Sequence, residues 1–138
     1  MKTVMIFGTF DIVHQGHLHL FKQARKQGDR LIAVVARDQR VKKLKKVPVH
    51  TEKERKYFLE QIRLIDEVLL GDQKDVYTVI KKFQPDVIVL GYDQVHFTDN
   101  LQEKIKEFGL NIKIVRAKSY RDKKFKTTHI RKNLEKEY

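Results

Sequence analysis

The sequence has 138 residues, of which 41% are hydrophobic and 35% charged, and its formal net charge is +12. A chain of this length builds one hydrophobic core, and no apolar run approaches the roughly 20 residues that cross a bilayer. The absence of cysteine excludes disulfides and thiolate metal sites. We therefore expect a single domain, residues 1–138, in a cytoplasmic protein with no membrane association and no secretory signal.

Apolar runs of strand length alternate with helical patterns along the whole chain. The predicted strands cover residues 2–7, 31–35, 67–70, 86–90 and 112–115. The predicted helices cover residues 15–27, 51–63, 75–83, 100–108 and 127–136. Strict alternation of strand and helix is typical of the α/β class. It predicts a single Rossmann-like open sheet of about five parallel strands, with helices on both faces.

Local signals mark the ends of several of these elements. Thr51 is followed three residues later by Glu54, which predicts a capping box at the start of a helix. Gly28 lies just beyond one predicted helix, and the pair Gln84–Pro85 stops another. These signals support the order of elements.

The positive charge is concentrated in two segments. Residues 37–56 and residues 116–138 each carry a net charge of +6, so the rest of the chain is balanced. Such segments indicate an anionic partner, either a polyphosphate or a nucleic acid. The alternative is a basic surface rich in lysine and glutamate. Because open parallel sheets bind ligands at the carboxyl ends of their strands, we expect the polar segments that follow the strands to gather there.

The stretch GTFDIVHQGH, residues 8–17, directly follows the first predicted strand. Gly8 allows the backbone to turn sharply out of the strand, and Thr9 and Phe10 then offer backbone N–H groups. Gly16 allows a ligand to approach closely, and a helix that begins near Gln15 points its positive end at the same space. We refer to residues 8–17 as the histidine loop, and we expect it to bind phosphate.

His14 and His17 lie three residues apart in or just before the first helical turn, so they share one face. Imidazoles donate hydrogen bonds to phosphate oxygens without the help of a metal. A metal site or a solvated pair is the alternative, but zinc would need a third ligand nearby. We therefore predict no metal site formed by the protein itself.

At these residues the chain resembles the nucleotidyltransferases related to cytidylyltransferases. Their signature G-x-F-D-x-x-H-x-G-H is matched at every fixed position from Gly8 to His17. The resemblance implies that a phosphorylated acceptor attacks the α-phosphorus of a nucleoside triphosphate and that pyrophosphate leaves. It further implies that His14 and His17 stabilise charge on the α- and β-phosphates, that Mg²⁺ or a similar divalent ion accompanies the nucleotide, and that the protein is a homodimer.

The resemblance extends to the first basic segment. In VARDQRVKKLKK, residues 35–46, Lys45 and Lys46 are matched to lysines that reach substrate phosphates, so we count them with the catalytic residues. Arg55 is matched to an arginine near the acceptor phosphate, with an exposed helix arginine as the alternative. Asp11 is also assigned to the acceptor, with orientation of the loop through backbone N–H groups as the alternative.

Two later stretches complete the implied nucleotide site. In LGYDQ, residues 90–94, Gly91 breaks a strand and Asp93 is placed to accept from ribose hydroxyls or from the base. In KTTHIRK the resemblance implies that Thr127 and Thr128 hold phosphate at a helix start, although simple N-capping is an alternative. Tyr120 is placed to pack against adenine, with packing at the core or rim as the alternative.

Within the family, the chain is most similar to archaeal-type FAD synthases, which transfer AMP from ATP to FMN. It departs from glycerol-3-phosphate cytidylyltransferases in SYRDKKFKTT, residues 119–128, which lacks their glycine and acidic positions. A glycerol-3-phosphate cytidylyltransferase or a heptose-phosphate adenylyltransferase is the alternative. A nucleic-acid-binding module is a more distant alternative. It is disfavoured because the basic residues flank a loop of the kind that binds phosphate. We therefore expect small-molecule substrates and no nucleic-acid partner.

Overall fold

A computed structural model describes residues 1–44, 46–95 and 98–119. The strands are β1 (Thr3–Gly8), β2 (Arg30–Val35), β3 (Glu67–Leu70), β4 (Val87–Leu90) and β5 (Lys113–Arg116). The helices are α1 (Gln15–Arg25), α2 (Asp38–Lys43), α3 (Glu52–Glu60), α4 (Thr78–Phe83) and α5 (Leu101–Glu107), with a 3₁₀ turn before α5. Within these residues, no helix is long and apolar enough to cross a membrane.

The strands form one five-stranded sheet in the order β3-β2-β1-β4-β5. Every neighbouring pair runs parallel. The chain moves outward from β1 to β3 and then returns to pair β4 with the other side of β1. The order therefore reverses between β1 and β4, and in open α/β sheets the crevice at this reversal is where ligands bind. The predicted parallel sheet is confirmed.

Alternate residues of each strand enter two separate cores. On one face, Val4 and Ile6 of β1 share a core with residues of α1 and α3, including Leu59. On the other face, Met5 shares a core with residues of α4 and α5, including Ile80. Strands covered on both sides are almost continuously apolar, which is the pattern that predicted them. Helices on both faces are thus confirmed.

The first basic segment contains a helix that the sequence did not predict. Helix α2 spans six residues, and only Val41 on it is buried. Three basic residues lie in its last turn and Asp38 in its first, which suits the helix dipole. A helix this short leaves almost no hydrophobic periodicity, so the lysine-rich composition concealed it.

The predicted helices in the described residues are all longer than the observed ones, and α3 and α4 differ most. Helix α3 ends at Glu60 instead of residue 63, because the chain turns there to enter β3. Helix α4 begins at Thr78 instead of residue 75, because the carboxylates of Asp72 and Asp75 bond backbone N–H groups in the preceding turns. The predicted helix at 127–136 lies outside the described residues.

Candidate active site

The two motif histidines cap the start of α1. The backbone N–H of Gly16 donates to Nδ1 of His14 at 3.1 Å. In return, the backbone N–H of His14 donates to Nδ1 of His17 at 3.2 Å. The arrangement is a capping box in which imidazoles replace the usual hydroxyl and carboxylate. It fixes both rings at the amino end of a helix whose first turn carries no acidic residue, so its positive end is left uncompensated.

These hydrogen bonds determine which ring nitrogen carries the proton. Since a backbone N–H only donates, Nδ1 of each histidine accepts, and each neutral ring is protonated at Nε2. Burial, with a smaller contribution from the neighbouring His14, lowers the pKa of His17 to about 4. Burial also lowers the pKa of His14. With ring centroids 4.2 Å apart, the pair offers two Nε2–H donors from neutral rings.

Phe10 is the residue with unusual backbone geometry in the histidine loop. It has a positive φ of 52° and a buried ring. That ring contacts His17 edge-on, with centroids 5.9 Å apart, and also packs against Phe21. A Cβ on Gly8 would lie 2.8 Å from Cζ of Phe10. Gly8 is therefore needed to make room for the ring that supports His17, whereas the sequence suggested that the turn itself required it.

Asp11 joins the histidine loop to the segment before α3. Its carboxylate accepts from the backbone N–H of Val49 at 2.7 Å and of His50 at 2.9 Å. The side chain is almost fully buried. Asp11 thus makes backbone contacts of the kind that the sequence offered as the alternative, and its assignment to the acceptor stays a prediction. Residues 46–50, which we call the basic loop, are held beside the histidine loop by these bonds.

Arg55 is not the exposed helix arginine that the sequence offered as the alternative, and its assignment to the acceptor phosphate stays a prediction. Its side chain is completely buried. The guanidinium donates to the carbonyls of Thr9 and Ala36, both at 2.8 Å, and to that of His50 at 3.2 Å. A further bond at 2.6 Å reaches Asp38. Arg55 therefore ties together the ends of β1 and β2 and the basic loop.

A second set of polar contacts extends this network to the end of β3. Asp38 and Glu52, the first residues of α2 and α3, each accept from the backbone N–H of the other, at 3.2 and 2.9 Å. Arg37 pairs with Glu52 at 2.9 Å and donates to the carbonyl of Gly71 at 2.7 Å. Against the opposing effect of desolvation, hydrogen bonds from Arg55 and from the backbone of Glu52 hold the pKa of Asp38 below its usual value.

The loop that follows β4 is fixed at the reversal of the sheet. Gln94 donates to the carbonyl of Phe7 at 3.2 Å and accepts from the N–H of Gly91 at 3.1 Å. Arg116, the last residue of β5, donates to the carbonyls of Gly91 and Gln94. This loop carries the exposed Asp93. A Cβ on Gly91 would lie no nearer than 3.8 Å to any atom of the protein beyond its two chain neighbours, so there is room for a side-chain methyl group beside Gly91.

Some of the remaining predicted residues lie in the described part of the chain, and others lie outside it. Gln15 and Gly16 form the first turn of α1, and Lys46 is exposed at the start of the basic loop. Four predicted residues lie outside the described part of the chain: Lys45, Tyr120, Thr127 and Thr128. The carboxyl ends of β1, β2 and β4 thus bring together the histidine loop, the basic loop and the loop at Gly91.

A cleft lies at the same edge of the sheet, beside β2 and β3. It has a volume of about 380 Å³ and lies between α2 and the segment Asp72–Tyr77. Arg40, Lys43 and Lys74 are among its lining residues. Within residues 1–44, 46–95 and 98–119, no three His, Cys, Asp or Glu side chains are grouped to hold a metal ion.

Sequence reasoning missed five residues whose hydrogen bonds hold the loops of the site in place. They are Arg37, Asp38, Glu52, Gln94 and Arg116. For Arg55 a signal was available, because Leu59 follows it by one helical turn and is a core residue. An arginine on the core-facing side of a capped helix had to be satisfied by buried partners.

Comparison with known proteins agrees with this geometry. The family described as cytidylyltransferase-like matches residues 5–133. The FAD synthase of Aciduliprofundum boonei is 41% identical over 122 residues, which are 88% of this chain and 82% of that protein. The FAD synthase of Ferroglobus placidus is 42% identical over 123 residues, which are 88% of this chain and 80% of that protein.

A solved structure is also similar to this chain in both fold and sequence. The lipopolysaccharide core biosynthesis protein from Thermoplasma volcanium GSS1 superposes with a TM-score of 0.83 at 39% identity. The match covers 87% of this chain and 98% of that one. With a family match over nearly its whole length, this chain belongs to the cytidylyltransferase-like nucleotidyltransferases.

Proposed function

We propose that this protein is an FAD synthase, which transfers AMP from ATP to FMN. A phosphate oxygen of FMN attacks the α-phosphorus of ATP and forms the new P–O bond. The bond from that phosphorus to the oxygen bridging to the β-phosphate breaks, and pyrophosphate leaves with its electrons. The products are FAD and pyrophosphate, and no covalent intermediate with the protein is needed. The FAD synthases that are 41% and 42% identical to this chain over the aligned residues support the choice of substrates.

The observation that carries the proposal is the reciprocal capping of α1 by His14 and His17. It leaves two Nε2–H donors on neutral rings, fixed before substrate arrives, at the positive end of a helix. Donors aimed at phosphate oxygens stabilise the charge that accumulates as the leaving group departs. Because the rings are held by backbone bonds, little reorganisation is required during the reaction.

We propose the cleft beside α2 as the binding site of the acceptor. If ATP occupies the crevice between β1 and β4, the acceptor must approach the α-phosphorus from the side opposite pyrophosphate. The cleft lies toward β2 and β3, and its volume of about 380 Å³ is within the usual range for ligand pockets. Arg40, Lys43 and Lys74 supply positive charge for the FMN phosphate.

We further propose that a divalent cation, Mg²⁺ or a similar ion, enters with ATP and binds its phosphate oxygens. The protein itself acts on the phosphates through hydrogen-bond donors such as Nε2 of His14 and His17. The basic segments serve the phosphates of these small substrates and bind no nucleic acid. We place the protein in the cytoplasm, where ATP and FMN are available, and treat residues 1–138 as one domain.

A panel of two donors and three acceptors tests the function. ATP and CTP are each combined with FMN, glycerol 3-phosphate and a heptose phosphate, and pyrophosphate release is measured. We expect turnover with ATP and FMN, with FAD identified by its absorbance and mass. The heptose phosphate is included because the sequence left a heptose-phosphate adenylyltransferase as an alternative. Turnover with CTP alone, or with the sugar phosphate and not FMN, would exclude the proposed function.

We also propose that the protein is a homodimer. Four apolar side chains, from the basic loop and the outer side of α3, are more than half exposed: Val47, Val49, Tyr57 and Phe58. Large apolar side chains exposed within one short stretch of the chain are consistent with an interface. Sedimentation at micromolar concentration should give the mass of a dimer, and Tyr57→Lys with Phe58→Lys should give a monomer. A monomeric wild-type protein would contradict the proposal.

A further inference from the structure

Arg116 is anchored at the carboxyl edge of the sheet in an unusual way. Its Nη1 donates to the carbonyl of Gly91 at 2.8 Å and to that of Gln94 at 2.5 Å. Both acceptors are neutral, so these bonds hold the guanidinium in place without cancelling its charge. A guanidinium has five N–H donors, and only Nη1 is engaged in these two bonds. The side chain itself is exposed.

Four other arginines in the described part of the chain are compensated by carboxylates. The pairs are Arg25–Asp66, Arg30–Glu67, Arg37–Glu52 and Arg55–Asp38. Arg116 makes no ion pair with any described residue. A positive charge that is held rigidly and left uncompensated is ready to bind an anion, because the cost of ordering the side chain has already been met.

The location of Arg116 indicates which anion. It ends β5 and pairs in register with Leu90, the last residue of β4. The loop that it anchors is joined through Gln94 to the carbonyl of Phe7 at the end of β1. Arg116 therefore lies beside the crevice between β1 and β4, where an open α/β sheet binds its nucleotide. Arginine is well suited to phosphate because its planar fork donates two parallel hydrogen bonds.

We propose that Arg116 binds a phosphate group of the donor nucleotide through its Nε and Nη2 donors, while Nη1 keeps the loop at Gly91 in shape. This assignment rests on the proposed function for the choice of ATP as the donor. It gives the end of β5 a direct part in nucleotide binding, across the crevice from the histidine loop.

Direct binding measurements separate a phosphate contact from a purely structural role. The affinities of ATP and of adenosine are measured by calorimetry and by competition, for the wild-type protein, Arg116→Gln and Arg116→Lys. Losing a charge-assisted hydrogen bond should weaken ATP binding roughly 10- to 100-fold in Arg116→Gln. Adenosine binding should not change, because adenosine has no phosphate, and Arg116→Lys should recover part of the ATP affinity.

The matched control is Arg63→Gln. Arg63 is also exposed, but it lies in the turn before β3 at the opposite edge of the sheet, and its loss should leave ATP affinity unchanged. Unchanged ATP affinity in Arg116→Gln would overturn the proposal, and so would an equal loss for ATP and adenosine, which would indicate that Arg116 only shapes the loop. Because these measurements need no turnover, failure to form FAD from ATP and FMN would count against the proposed function and not against Arg116.

Discussion

Arg55 donates a 2.8 Å hydrogen bond to the carbonyl of Thr9, a residue 46 positions earlier in the chain. The same guanidinium holds the carbonyl of His50 in the basic loop and that of Ala36 beyond β2. A single buried side chain thus sets the positions of the histidine loop and the basic loop relative to one another. The distance between the imidazoles and Lys46 therefore depends on the hydrogen bonds of Arg55.

Replacing Arg55 with lysine should test this role. Lysine keeps the charge, but its single Nζ atom cannot reach four acceptors that lie in different directions. We expect Arg55→Lys to lower the free energy of unfolding by about 2–4 kcal/mol, since buried carbonyls lose their donors. The rate of FAD formation should fall as well, because the two loops are released from each other. Urea unfolding at pH 7 and steady-state kinetics measure the two effects.

Arg63→Lys provides the control for Arg55. Arg63 is exposed, and a substitution there should change stability by no more than about 0.5 kcal/mol. If Arg55→Lys proves as stable and as active as this control, the buried hydrogen bonds do not organise the site.

The order of strands and helices was predictable because burial on both faces makes each strand an apolar run. The histidine loop was predictable because its residues are contiguous, so their spacing is visible. Which residues Asp11 and Arg55 contact was not predictable in the same way. The carboxylate of Asp11 accepts a hydrogen bond from the backbone N–H of Val49, which lies 38 positions away in the sequence. Such a bond needs no particular residue at the accepting or donating backbone position, so it leaves no pattern in the sequence.

The helix α2 and the anchoring of Arg116 were missed for a related reason. A helix of six residues with one buried side chain has no period to detect. Arg116 bonds two carbonyls, which every residue carries, and so nothing at Gly91 or Gln94 signals the contact. Composition identified the basic segments correctly, but it could not tell which cations are fixed.

The proton on each motif histidine should lie on Nε2. His14 and His17 both accept at Nδ1 from backbone N–H groups, and that assignment excludes the other neutral tautomer. Long-range ¹⁵N–¹H correlation spectra of the imidazoles at pH 7 distinguish the two forms. Exposed histidines such as His50 provide an internal reference. A protonated Nδ1 on either ring would disprove the reciprocal cap.

His17→Gln should separate capping from catalysis. Glutamine at the third position of a helix accepts from the capping backbone N–H much as His17 does, so α1 should stay intact. The fixed imidazole donor is lost, and kcat should fall on the order of a hundredfold or more. Thermal unfolding and kinetics are measured together with those of His17→Ala, which removes both functions. Nearly unchanged kcat in His17→Gln would show that the imidazole does not act on the phosphates.

The depressed pKa of His17 should make the protein less stable in mild acid. Its folded pKa is about 4, against 6.5 for an unperturbed histidine. Between these values the unfolded chain binds more protons than the folded one, so the free energy of unfolding decreases as pH falls through this window. The whole shift corresponds to a loss on the order of 3 kcal/mol. Urea unfolding from pH 7 to pH 4 measures it.

Because carboxylates also titrate near the acidic end of that window, the comparison with His17→Gln is decisive. The variant lacks the buried imidazole but keeps every carboxylate, so the difference between the two pH profiles belongs to residue 17. We expect the stability of the variant to fall less steeply than that of the wild-type protein between pH 6.5 and 4. Parallel profiles would mean that His17 titrates normally.

Gly8 and Gly91 should respond differently to the same small change. A methyl group at Gly8 would lie 2.8 Å from Cζ of Phe10, whose buried ring is confined by His17 and Phe21. Gly8→Ala should therefore destabilise the protein by about 1–3 kcal/mol, the usual cost of overpacking. Because the displaced ring supports His17, catalysis should suffer as well.

Gly91→Ala is the matched comparison, since its Cβ would meet no atom nearer than 3.8 Å and its φ is not positive. Its unfolding temperature should stay level or rise slightly, because alanine restricts the unfolded chain more than glycine does. Any loss of ATP affinity in Gly91→Ala would then reflect contact with the nucleotide and not damage to the fold. If Gly8→Ala proved as stable as Gly91→Ala, the Phe10 ring would yield freely and would not hold His17 in place.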